Sequence, residues 1–160
     1  MTAQEAYYKA TYAKKRMPKL EPIIMQDAEY AYLYALNIIK ERWSEAEPII
    51  STSPECAYHY AQYVVKGRWP EGEKAIMHIP KYSSWYAIDI LKERWLEAEE
   101  QISKSKKATK YYTEHFFNEP IVIKSEVGNY LWNLKALQVG YFAPARLFEN
   151  KTSLLDMIIE

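Results

Sequence analysis

The chain has 160 residues, enough for one domain with its own core, and its 21 basic and 21 acidic side chains cancel. That balance excludes the basic excess of a general nucleic-acid binder and the acidic excess of a nucleic-acid mimic. A single cysteine, Cys56, rules out an internal disulfide framework and suits a reducing compartment.

No apolar run approaches the roughly 18 residues of a membrane span. The opening Met1-Thr2-Ala3-Gln4-Glu5-Ala6 lacks the basic-then-apolar layout of a secretory signal, so a cytoplasmic chain with no membrane partner is expected. With 15 tyrosines and 5 tryptophans against 4 glycines, the chain has many bulky contacts to make and few flexible loops in which to make them.

The word Glu41-Arg42-Trp43-Ser44-Glu45-Ala46-Glu47 returns 26 residues later as Gly67-Arg68-Trp69-Pro70-Glu71-Gly72-Glu73. After another 26 it returns as Glu93-Arg94-Trp95-Leu96-Glu97-Ala98-Glu99. A fixed period of this size implies a stacked array of small units. The expected fold is all-α: an α-solenoid of short helix-turn-helix repeats over 1–117, with a divergent helical cap over 118–160.

In chain order, the first copy, 3–24, is degenerate. Lys9 stands where later copies have alanine and Met17 where they have tryptophan, as suits an N-terminal cap. Equivalent first helices are expected over 27–40, 54–66 and 82–92. Within one of them Ala31, Tyr34, Ala35, Ile38 and Ile39 follow the spacing of one apolar helical face. Tyr8, Tyr34, Tyr60, Tyr86 and Tyr112 fall in register, as do Ala35, Ala61 and Ala87.

Asp27 and Ser53 are candidate N-caps, and Pro54 suits a first turn. Each helix ends in basic residues, Lys40 and Arg42, Lys66 and Arg68, Lys92 and Arg94, with Gly67 fitting a left-handed C-cap. Short second helices are expected over 44–50, 70–77 and 96–102, Ser44 with Glu47 having capping-box spacing and Pro70 suiting a first turn. Ala46, Gly72 and Ala98 are small, as where two helices approach closely, and Ile50, Ile76 and Ile102 are apolar anchors.

Trp43, Trp69 and Trp95 read as wedges between repeats; with Tyr34, Tyr60 and Tyr86 and the arginines Arg42, Arg68 and Arg94 they form the expected structural set. A fifth first helix is expected over 106–117. Beyond it, helices over 126–139 and 153–159 would cover the open end of the stack. The segment 154–159 serves equally to cap its own stack or to exchange with a second copy, so a homodimer is one of the assemblies the sequence allows.

The arginines, with Arg16, have two readings. As a ladder, repeats about 10 Å apart match about three nucleotides at about 3.4 Å each. As structure, each arginine is followed by glutamates that pair with it and cancel its field; this second role is the expected one. Positions that change between copies point outward, because a partner surface need not repeat while a core must. Tyr32, Leu33, Tyr58, His59, Tyr63, Trp85 and Ile88 are the candidate partner-binding residues, in a composition enriched in protein interfaces. The competing reading packs them against the terminal module or a second copy.

Cys56 and His59 stand three apart, but two ligands do not make a zinc site, and no metal or cofactor is expected. There is no Gly-rich phosphate loop, nucleophile elbow or zinc-protease spacing, and each Glu-x-Glu pair lies on opposite sides of a helix, so no enzymatic activity is expected.

The words Ala57-Tyr58-His59-Tyr60-Ala61 and Lys66-Gly67-Arg68-Trp69-Pro70-Glu71, echoed on either side over 3–102, resemble tandem repeats of uncharacterised proteins encoded by tailed bacteriophages and other large DNA viruses. The resemblance implies such a source and carries no catalytic residues. Small phage proteins of this kind often occupy a host protein, including components of antiviral defence. The expected function is therefore a non-enzymatic protein-binding scaffold inhibiting a host defence or regulatory protein. The alternative is a nucleic-acid-binding repeat protein using the arginine ladder and stacked tyrosines.

Overall fold

Each first helix starts where the sequence supplies a remedy for its free N–H groups. Thr2 and Glu5 form a reciprocal capping box on α1, Ala3–Ala13. Asp27 accepts from the backbone N–H groups of Glu29 and Tyr30 at 2.9 and 3.2 Å to open α3, Ala28–Tyr34. Ser53 accepts from Cys56 to open α5, Pro54–Tyr60. The next, α7, Pro80–Tyr86, opens on proline, two residues earlier than its apolar pattern suggests. The fifth is α9, Lys106–Phe117. A computed structural model describes residues 1–117, mostly helical and without strands among the described residues; the expected cap over 118–160 lies outside them.

The last turn of three of these helices widens to i→i+5 hydrogen bonding, over Ala35–Ile39, Ala61–Val65 and Ala87–Leu91. The chain then reverses on a lysine. Lys40, Lys66 and Lys92 have φ of 63°, 59° and 57°, and Lys14 after α1 has 51°. Gly67, the expected left-handed residue, instead follows the turn, its N–H donating to the Ala61 carbonyl at 3.2 Å. A lysine there carries backbone strain, partly offset because its charge lies at the negative end of the helix dipole, a gain of about 0.3–1 kcal/mol.

The second elements are α2, Glu21–Ile24, α4, Glu47–Ile50, α6, Pro70–Ile76, and α8, Glu99–Ser103. 3-10 turns at Pro18–Leu20 and Leu96–Ala98 lead into α2 and α8, so the expected ranges 70–77 and 96–102 are closely met and only 44–50 starts later than expected. Ser44 does not form the expected capping box, because Glu47 is engaged elsewhere. Arg42 donates to both Glu47 oxygens, at 2.8 and 2.9 Å, in a fork across the corner. The Tyr60 hydroxyl of the following first helix donates to the same carboxylate at 3.0 Å and accepts from the Trp43 N–H at 2.8 Å. The Glu47 carboxyl is held below its ordinary range by the Arg42 fork first, against burial, with Tyr60 adding to it.

The same four-group corner recurs as Arg16, Glu21, Tyr34 and the Met17 N–H. It returns as Arg68, Glu73, Tyr86 and the Trp69 N–H, and as Arg94, Glu99, Tyr112 and the Trp95 N–H. The degenerate first copy thus keeps the corner although it lacks the tryptophan. Tyr8, in register with these tyrosines, is 57% exposed and makes no such corner bond among the described residues.

Beneath the corners runs the core. Ile24, Ile50, Ile76 and Ile102 are fully buried with Tyr34, Tyr60, Tyr86 and Tyr112. Trp43, Trp69 and Trp95 lie against Tyr34, Tyr60 and Tyr86 with ring centroids 5.1, 4.9 and 5.2 Å apart. Gly72 is small because of its own tryptophan rather than a neighbouring helix: an added Cβ would meet Trp69 Cε3 at 2.4 Å. Where later copies replace Ala31 and Ala57 by hydroxyls, Ser83 and Thr109 donate to the Ile76 and Ile102 carbonyls, so these two buried hydroxyls are satisfied. First helices touch in series, α1 with α3, α3 with α5, α5 with α7 and α7 with α9.

Two outcomes test this account. Tyr60→Phe should cost about 1–3 kcal/mol in urea unfolding, because it strands the buried backbone N–H of Trp43, Glu47 Oε1 keeping its bond from Arg42, while Tyr8→Phe should leave stability unchanged. Lys66→Val should cost about 1 kcal/mol or more, and Gly67→Ala should fall within about 0.5 kcal/mol of wild type; the reverse order would return the left-handed residue to position 67.

Candidate protein-interaction surface

With one face of each first helix given to the core, the flanks pack on neighbouring first helices and only the remaining arc reaches solvent. Tyr58 and Ile88 lie in the flanks. They are 3% and 7% exposed, not turned outward as their changing identity suggests. The Tyr58 hydroxyl donates to Asp89 on the next first helix at 2.6 Å, and burial, then that bond, raises its pKa. Asn37 likewise donates to the Tyr7 hydroxyl at 3.0 Å. These polar pairs join neighbouring helices.

The other candidates stay nearer the surface. Tyr32, Leu33, His59 and Trp85 are half-buried, and Tyr63 is 48% exposed. His59 lies between two nearly parallel rings, Tyr63 at 5.8 Å and Tyr32 at 6.1 Å, with Tyr58 edge-on at 5.0 Å. Trp85 contacts Tyr58 at 5.7 Å and Tyr82 at 5.9 Å, and the Lys81 ammonium sits 4.6 Å from its ring centroid. The structure therefore brings Tyr32, Tyr58, His59, Tyr63 and Trp85 into one aromatic run across α3, α5 and α7. Such rings offer large, stiff contact area with a polar edge.

Burial dominates the electrostatics. It pushes the Tyr32 hydroxyl up to about 12, with Tyr63 next in effect, and the Tyr82 hydroxyl up to about 12. It lowers the His59 imidazole from 6.5, opposed by Glu55 and reinforced by Lys81, with Gln62 alongside. The buried Cys56 thiol is pushed up, so it is a poor thiolate. Cys56 and His59 line the same groove, yet among the described residues no group of three or more His, Cys, Asp or Glu side chains is placed to hold a metal.

Arg42, Arg68 and Arg94 all lie at corners with their forks on Glu47, Glu73 and Glu99. Two grooves open between first helices instead. One, of about 420 Å³ between α3 and α5, is edged by Asp27, Glu29 and Glu55. The other, of about 570 Å³ between α7 and α9, is edged by Lys81, Lys107 and a Lys110–Glu114 pair over Trp85 and Tyr111. Sequence reasoning passed over these charges and Tyr111. Reading the repeat column Glu29, Glu55, Lys81, Lys107 for sign would have found them.

No family model, curated protein or solved structure matches the chain. Among the described residues no helix is long and apolar enough to cross a membrane.

The lowered His59 pKa fixes a sign. Between pH 6.5 and the folded value the unfolded chain binds the extra proton, so stability should fall as pH drops through that window. The His59 ring should titrate below 6.5 by NMR, and His59→Gln should remove that part of the pH dependence of unfolding; a midpoint at or above 6.5 would contradict the packing described.

Proposed function

We propose that the chain is an α-solenoid of short helix pairs acting as a non-enzymatic scaffold that binds a protein partner through the aromatic run on its first helices. The observation that carries this reading is a contrast. Four corners use the same groups in the same hydrogen bonds, whereas the adjoining arc carries Tyr32, His59, Tyr63 and Trp85, different from copy to copy and half open to solvent. Uniform corners hold the array rigid, and rigid aromatic anchors bind with little loss of side-chain freedom.

The class of partner rests on the resemblance of the repeat words to those of phage and large-virus proteins. On that basis the partner is a host defence or regulatory protein, blocked by steric occupation in the host cytoplasm. The arginine-ladder alternative fares worse, because each guanidinium already forks onto a glutamate and would have to leave it to meet a phosphate.

Affinity capture from bacterial lysate with mass spectrometry tests the reading. The wild-type chain should retain a specific protein, and Tyr63→Ala, at an exposed ring, should weaken its binding about tenfold or more. A folded chain that retains nothing, or retains it equally well after Tyr63→Ala, would remove the proposal.

A further inference from the structure

The two grooves are nearly the same place two repeats apart. Moving on by two 26-residue periods carries Glu29 to Lys81, Tyr32 to Ser84, Leu33 to Trp85, Glu55 to Lys107 and His59 to Tyr111, and both sets line their groove. The lining side chains differ, and at the two repeat-equivalent rim positions the sign changes from acid to base; Glu114, also in the second groove, is paired with Lys110. Along the serial contacts α3, α5, α7 and α9, this single column reads acid, acid, base, base. All four side chains are exposed, and none forms an ion pair among the described residues.

An order of this kind changes sign when reversed, which is the condition for a surface to complement itself across a two-fold axis. We propose that this face pairs with the same face of a second copy of the chain, running antiparallel, as a two-fold dimer. Glu29 then meets Lys107 of the other copy and Glu55 meets Lys81, each pair occurring twice. The axis passes between α5 and α7. The same reversal lays His59 against Trp85 and Leu33 against Tyr111, so the charged rim encloses an aromatic centre, the usual anatomy of a protein interface.

A second copy fits better than an unrelated protein for two reasons. A foreign partner requires no particular order of sign along the column, whereas self-pairing requires an order that inverts on reversal, as this one does. The chain also has no net charge, so two copies approach with no overall repulsion against which local attraction must work. The inference does not rest on the existence of a foreign partner, since it is read on the purified chain alone. Because both readings use the same arc, self-association would set the concentration at which that arc is open to anything else.

The experiment measures mass by light scattering and sedimentation at about 100 µM chain, above a micromolar dissociation constant. At about 0.01 M salt the mass should be twice 18.9 kDa, moving toward 18.9 kDa at about 1 M salt, where screening reaches within about 3 Å. Glu29→Lys with Glu55→Lys, and separately Lys81→Glu with Lys107→Glu, should each weaken pairing about a hundredfold or more through like-charge contacts. Circular dichroism should find both folded, the positions being exposed.

Mixed together, these two variants should restore a dimer, because an all-lysine column then faces an all-glutamate column, half of the contacts reversed pairs and half native ones. A matched pair of exposed changes off the face, Glu71→Lys with Glu97→Lys mixed with Lys9→Glu with Lys74→Glu, should remain as wild type and so separates surface pairing from overall charge attraction. A wild-type mass of 18.9 kDa at low salt, reversed variants that stay dimeric, a mixture that stays monomeric, or masses beyond the dimer would each overturn the proposal.

Discussion

The tyrosine hydroxyl at each corner is the contact on which the rest of the arrangement depends. It accepts from a backbone N–H and donates to a carboxylate already forked by an arginine, so one oxygen joins a first helix to the corner preceding it. The N–H is buried in three of the four corners, and the carboxylates are about 5–13% exposed, so the phenol meets little competition from water. Each hydroxyl therefore favours a single placement of one helix against the turn before it, and repetition of the corner repeats that placement. The tryptophan adds area but is not indispensable, since Met17 keeps the same bonding.

The corner also explains how charge is distributed. Every recurrent arginine and its glutamate are consumed in one another, leaving no free cationic ladder. Charge at the starts of the first helices is outside the corner: Glu29, Glu55, Lys81 and Lys107 are exposed, the two glutamates lying in first turns where the helix dipole favours them. At that position the chain changes from glutamate to lysine between α5 and α7 while the packing beneath continues unbroken.

The aromatic run has a divided character. Tyr58, with its hydroxyl on Asp89, belongs to the joint between helices, whereas Tyr63 and the outer edge of Trp85 remain accessible. Rings supported from below by other rings are stiff, and stiffness makes a surface selective. The scaffold reading draws on this rigidity, and the pairing reading on the charges around it.

Much of the architecture was legible in the amino-acid order. A residue that returns at a fixed interval has met the same physical demand each time, which is why the period located the helix pairs, the buried Tyr34, Tyr60 and Tyr86, the tryptophans and the isoleucine anchors. Asp27 and Ser53 were readable as caps because capping is local chemistry. Three matters were decided only in three dimensions. Glu47 abandons a local cap for Arg42 and Tyr60 because the corner brings a residue 13 positions away within reach. Lys66 rather than Gly67 takes the left-handed turn, as Lys14, Lys40 and Lys92 do in their copies, so the conformation follows the shared position in the reversal and not the residue type. Tyr58 and Ile88 are interior because a helix flanked on both sides buries its sides as well as its core stripe, and that second neighbour is nowhere visible in a single helix's periodicity.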